Sequence, residues 1–156
     1  MGIAITMEQF LSDRHVRYDL LRHAPTASSM RTAQAGHVPG DLLAKGVLLK
    51  DEFGYLLAVL PATRHIRMAE LRAQTSRPLE MVAEAEMARL FPDCARGAVP
   101  VMGDAYGVPT IVDDSIADRP DVYFEGGDHE TLVHMDGADF QRLTARAGHG
   151  RFSERG

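Results

Sequence analysis

Gly46-Val47-Leu48-Leu49-Lys50-Asp51-Glu52-Phe53-Gly54-Tyr55-Leu56-Leu57-Ala58-Val59-Leu60 is the stretch on which the fold turns. Two nearly continuous apolar runs, Gly46 to Lys50 and Tyr55 to Leu60, flank a short connection, Asp51 to Gly54, that contains a glycine. This is a β-hairpin pattern. Neither run alternates with polar residues, so both strands are expected near the centre of a sheet, buried on both faces. Pro61, which has no N–H to donate, ends the second strand.

Upstream, Met7, Phe10 and Leu11 lie at helical spacing and predict a short amphipathic helix from Met7 to His15, followed by a strand from Val16 to Leu21. His23-Ala24-Pro25-Thr26 breaks regular structure, because Pro25 disfavours a helical residue before it. Ser28 or Ser29 suits the N-cap of a helix through Ala35, which Gly36 stops. Val38 to Asp41 opens a further short helix with Leu42 and Leu43 facing inward. That places Lys45 at the junction between this helix and the first buried strand.

Downstream, helical spacing is expected over Met68 to Thr75 and Glu80 to Phe91, the latter stopped by Pro92-Asp93. Arg96 to Gly107 carries Gly97, Pro100, Gly103 and Gly107 and reads as a structured loop. Val108 to Val112 is a strand candidate, and Asp121 to Phe124 with Thr131 to Met135 form a last hairpin. Asp136 is placed to cap a closing helix, Ala138 to Arg146, and the polar tail from Gly148 is expected to fray. Hairpins with helices between them, rather than regular βαβ units, predict an α+β fold with a mixed, mostly antiparallel sheet flanked by helices. At 156 residues the chain fits one domain, 1–156, with its core at about 7–146.

No apolar run approaches the roughly 18 residues needed to cross a bilayer. The N-terminus lacks the basic and apolar regions of a signal peptide, so the cytoplasm is the expected compartment. Seventeen Lys and Arg against 22 Asp and Glu leave a formal net charge of −5. This excludes a broad electrostatic footprint on nucleic acid, so any RNA contact must be compact.

Several catalytic designs lose support. Cys94 is the sole cysteine and reads better as a small apolar residue near a helix end than as a nucleophile. Seven His residues occur without HExxH, HxH or a Cys pair, so a metal site is not expected. There is no GxSxG elbow, Walker A loop or GxGxxG turn. What remains is Lys45 and a set of glycine-rich loops. The lysine reads either as a helix C-terminal cation or as a charge at the mouth of a pocket, where it could meet a phosphate or a polarised oxygen. Gly97, Gly126 and Gly127 are either turn residues or places where backbone N–H groups approach a ligand.

Taken in order, seven stretches resemble the YbaK/prolyl-tRNA-synthetase-associated domain family, from about His23 to Leu143. They are His23-Ala24-Pro25-Thr26, Ala44-Lys45-Gly46-Val47-Leu48, Ala58-Val59-Leu60-Pro61, Leu90-Phe91-Pro92-Asp93-Cys94, Gly97-Ala98-Val99-Pro100, Ile111-Val112-Asp113 and Tyr123-Phe124-Glu125-Gly126-Gly127-Asp128-His129. The resemblance implies an aminoacyl-tRNA deacylase that removes a small wrong amino acid, such as alanine or cysteine, from tRNA in trans. It implies that Lys45 is the functional lysine and that Gly97 belongs to a GxxxP loop. His23, Thr26, Gly46, Pro100, Val101, Gly126, Gly127 and His129 are the candidate substrate-binding residues. Two departures stand out. Val101 occupies the position four after Gly97, the proline falling one earlier at Pro100; and Gly46 stands where some members have Thr or Asn. The implied partners are the acceptor end of a mischarged tRNA and a synthetase, not a membrane or DNA, and no cofactor or metal is implied. A competing expectation is a non-catalytic module with the same fold that binds a tRNA end, an amino acid or a synthetase.

Overall fold

The computed structural model describes residues 3–24 and 29–156. Along the chain run α1 (Ile5–Asp13), β1 (Asp19–Arg22), α2 (Ser29–Ala35), β2 (Leu43–Asp51), β3 (Gly54–Pro61), β4 (Arg64–Ile66), α3 (Met68–Thr75) and β5 (Glu80–Met81). They are followed by α4 (Glu84–Leu90), β6 (Thr110–Asp113), α5 (Asp114–Ala117), β7 (Asp121–Glu125), β8 (Thr131–Asp136), α6 (Gly137–Leu143), β9 (Gly148–Gly150) and β10 (Ser153–Arg155). The main sheet has the order β1-β8-β7-β2-β3-β6-β9, with β5 also paired to β2. The pairings β1–β8, β7–β8, β2–β3 and β2–β5 are antiparallel. Those of β2–β7, β3–β6 and β6–β9 are parallel. The fold is thus α+β on a mixed, mostly antiparallel sheet.

The hairpin of apolar runs is its centre. β3 is buried from Leu56 through Pro61, because both its faces carry covering layers. Alternation along a strand sends Leu57 and Val59 to one face and Leu56 and Ala58 to the other. The first pair joins the larger core, with Val112, Phe124, Phe140 and the buried face of α1. The second pair packs with Leu49, Leu71 and Phe152. On that same side a third cluster gathers Ala33, Val38, Leu43 and Leu132. Between those two smaller clusters, on β2, stands Lys45.

Several local expectations need correction. The short helix before the hairpin is a single 3-10 turn, Gly40–Leu42, and the strand already begins at Leu43, so Lys45 lies within β2 rather than at a helix end. Leu43 is buried as a strand residue while Leu42, in the turn, is only partly buried, and periodicity over so few positions cannot distinguish strand from helix. Glu80–Met81 pair with Lys50 and Leu49 as β5, and the helix starts only at Glu84. Asp136 stands at the start of α6 but makes no side-chain cap hydrogen bond, and α6 closes at Leu143. The first strand starts at Asp19, not Val16. The tail is not frayed. β9 extends the main sheet beside β6, β10 pairs with β4, and Phe152 between them is fully buried. The expected cap at Ser28, together with Pro25 and Thr26, lies outside the described residues.

Candidate active site

β2 and β7 run parallel for only two register steps, Leu43 beside Tyr123 and Ala44 beside Phe124. Further along the same edge, β2 pairs with β5 at Leu49 and Lys50. Between those two pairings the edge of β2 carries no neighbouring strand, and the segment 97–100 closes over it. In the gap lies a cavity of about 150 Å³, lined among others by Lys45, Gly46, Gly97, Val99, Glu125 and His129. That is roughly the volume that holds a benzene in an engineered apolar cavity.

The closing segment follows from two local causes. Gly97 has φ of 83°, a left-handed conformation that a glycine takes without strain, in a turn closed by the Ala98 N–H on the Ala95 carbonyl (2.9 Å). The Pro100 carbonyl comes so close to β2 that a Cβ on Gly46 would lie 2.8 Å from it. The loop is then tied to the turn after β7. The Ala95 N–H donates to the Gly127 carbonyl, and His129 Nε2 donates to the Arg96 carbonyl at 2.9 Å. Asp128 shapes that turn by accepting from the N–H groups of Glu130 (2.9 Å) and Thr131 (2.8 Å). Burial alone would raise the Asp128 carboxyl, but these donors hold it below its usual value.

Electrostatically the cavity has two poles. The Lys45 ammonium has no hydrogen-bond or ion-pair partner among the described residues, and burial alone pulls its pKa below the ordinary lysine value. Glu125 ends β7 with its side chain 18% exposed. Burial pushes its carboxyl upward, opposed by His23 and His129. His23 Nε2 lies 3.7 Å from Glu125 Oε2, on a side chain with no exposure at all. Its Nδ1 donates to the Ala24 carbonyl at 2.7 Å. Both His23 Nε2 and Glu125 Oε1 are buried without a hydrogen-bond partner among the described residues.

Of the residues singled out from the sequence, Lys45, Gly46, Gly97 and His129 line one cavity, and His23 stands behind Glu125 on its wall. Pro100 contributes its carbonyl to the approach on Gly46. Val101 does not line the cavity; it is 2% exposed and belongs to the larger core. Gly126 and Gly127 are also brought elsewhere, packing against Ile3, Ala4 and Cys94, and the Gly126 N–H is spent on the Thr131 carbonyl (2.8 Å). Thr26 lies outside the described residues. Glu125 was not singled out, because a carboxylate before Gly-Gly reads as a solvated turn residue. Its burial, and the lack of a hydrogen-bond partner for Oε1 among the described residues, become visible only once β7 is in place. Cys94 does not line the cavity either. Its thiol is 3.5 Å from the Tyr106 hydroxyl, and burial pushes it up, away from the thiolate that a nucleophile needs.

The small cavity between a strand edge and a glycine turn thus has on one side Lys45, a cation with no partner among the described residues, and on the other the Glu125 carboxylate. The chain belongs to the aminoacyl-tRNA editing domain family, whose model matches residues 23–143. No curated protein matches the chain significantly. Among solved structures it is similar in fold to a protein provisionally described as a trans-editing enzyme for prolyl tRNA synthetase. The TM-score is 0.81 at 21% identity, over 96% of this chain and 95% of that one. It is also similar to a protein from Marinobacter aquaeolei VT8 provisionally assigned to signal transduction, with a TM-score of 0.79 at 22% identity. That match covers 97% of this chain, which spans 31% of the Marinobacter protein. No helix among the described residues is long and apolar enough to cross a membrane.

Proposed function

We propose that this chain hydrolyses the ester of a mischarged tRNA in trans, releasing a small non-cognate amino acid such as alanine or cysteine, with the proline acceptor as the first tRNA to try. The observation that carries this reading is the convergence of Lys45, which has no partner among the described residues, and the Gly97 turn on one small cavity in a chain of this family.

An aminoacyl ester is already activated, so the site can rely on positioning and charge stabilisation. Water adds to the ester carbonyl, and the tetrahedral oxyanion is met by backbone N–H groups at Gly97 and Val99, which make no hydrogen bond among the described residues. The 3′ oxygen then leaves with a proton, and the neighbouring 2′-OH of the terminal adenosine assists. Lys45 holds the phosphate or ester end of the acceptor. His129 braces the turn through the Arg96 carbonyl and presents its ring to the cavity. Walls built from Ala44, Ala98 and Val99 suit a short side chain and exclude longer ones by size. A cavity that takes only the acceptor end leaves tRNA identity to the stem or to a bound synthetase. Such a role belongs in the cytoplasm, where tRNA is charged.

The test is a panel of mischarged tRNAs, including alanine and cysteine on the proline acceptor, presented to the wild type and to Lys45→Ala. The expected result is turnover above the spontaneous rate for at least one small aminoacyl ester, reduced by roughly 100-fold or more in the variant. Every ester surviving at the spontaneous rate with wild type would end the enzyme reading. Tight tRNA binding under those conditions would then favour the non-catalytic module.

A further inference from the structure

Extending the parallel register of β2 and β7 by one step brings Lys45 beside Glu125 on the same side of the sheet. Opposite charges so placed ordinarily pair. Here they do not: no ion pair joins them among the described residues, and both line the same cavity. The cavity therefore keeps a cation and a carboxylate apart: Lys45 has no ion-pair partner among the described residues, and Glu125 has only the imidazoles of His23 and His129 beside it.

The carboxylate side has one backbone donor, the His129 N–H, and one oxygen, Glu125 Oε1, left unfilled among the described residues. His23 Nδ1 donates to the Ala24 carbonyl, so in the neutral form of the ring Nε2 is the acceptor. It faces Glu125 Oε2 at 3.7 Å, beyond hydrogen-bond reach, while Glu125 Oε1 is buried without a hydrogen-bond partner among the described residues. The unfilled Glu125 Oε1 and the His23 Nε2 beside the carboxylate suit a group bearing several N–H bonds and a positive charge. A primary ammonium has three such bonds and the right sign.

We propose that Glu125, with His23 as co-acceptor, binds the α-ammonium of the aminoacyl group, which orients the ester carbonyl toward the Gly97 turn and Lys45. This rests on the deacylase reading above. It adds a selection that cavity size cannot supply, because an α-amino ester and an α-hydroxy ester with the same side chain are nearly the same size.

The experiment compares the small aminoacyl-tRNA that the panel selects with the same tRNA carrying the matching α-hydroxy acid, lactyl in place of alanyl. Wild type is expected to prefer the amino ester by roughly 10- to 100-fold in kcat/KM, chiefly through KM. Glu125→Gln is expected to bring the ratio of the two values toward one. An active wild type that turns over both esters alike overturns the proposal and leaves the deacylase reading standing. So does a Glu125→Gln variant that slows both equally, the signature of a general base or a purely structural role. A wild type that cleaves neither ester removes the deacylase reading and this proposal with it. The wild-type comparison needs no substitution, so a variant that fails to fold does not spoil the test.

Discussion

Lys45 and Gly46 are neighbours on a strand and so point to opposite faces, yet both line the cavity because it wraps the open edge of β2. The lysine is half-buried with nothing among the described residues to pair it, which costs folding stability and suits a residue kept for a ligand. Lys45→Met keeps the length and removes the charge. Its unfolding midpoint in urea is expected to equal or exceed that of wild type, while deacylation falls by roughly 100-fold. A variant that lost both together would mark the lysine as structural. Gly46 answers to a different constraint. A side chain there meets the Pro100 carbonyl, so Gly46→Asn is expected to cost about 1–3 kcal/mol by overpacking and to push the 97–100 loop outward. Denaturation reads the cost. The same esters read the displaced loop, as turnover shifts toward side chains larger than wild type accepts. The sequence alone named these two positions through their neighbours in a familiar pattern. It could not show Glu125, since the carboxylate's significance lies in what fails to reach it.

At the scale of elements, the β2–β3 hairpin was legible because fifteen consecutive residues carry it and local apolar patterning suffices. The C-terminal strands were not legible. In the polar run from Gly148 the one large apolar residue is Phe152, and no periodicity can be read from a single side chain. Its burial depends on partners distant in sequence. The Phe152 N–H donates to Asp113 at 2.9 Å, and its carbonyl accepts from Arg67 at 2.7 Å. Phe152→Ala is therefore expected to destabilise the fold by about 3–5 kcal/mol, measured by urea unfolding, where a frayed tail would show no change. The hairpin turn carries its own titration. Arg77 grips the Asp51 carboxylate with two hydrogen bonds of 2.7 Å, holding its pKa down at about 2. A carboxylate depressed on folding adds stability that is present above the unfolded value of about 4 and is lost as pH falls through about 2. Wild type and Arg77→Ala should accordingly differ in urea midpoint at neutral pH and converge between those two values. A difference that persisted undiminished to pH 2 would assign the effect of Arg77 to packing alone.

For the whole molecule, the decisive quantity is charge. With a net charge of −5, long-range attraction to a polyanion is absent, so whatever holds the acceptor end must act at contact. Lys45 borders two hollows: the cavity at Gly97 and a wider one of about 410 Å³ also lined by Arg64, His65 and Arg155. Arg64 is braced on Ser153 (2.8 Å) and Arg155 on Asp41 (3.0 Å), so both cations are held in place rather than left to roam. If those three permanent cations meet the single-stranded acceptor end, counterion release predicts a slope of log affinity against log salt of about −2. Titrating uncharged tRNA against the wild type between about 50 and 200 mM salt measures that slope, within the range over which such dependence is conventionally read. A slope several times steeper would mean many phosphates contacted, a footprint that an acidic surface of this size cannot supply, and would place the RNA on a face other than the one that holds Lys45.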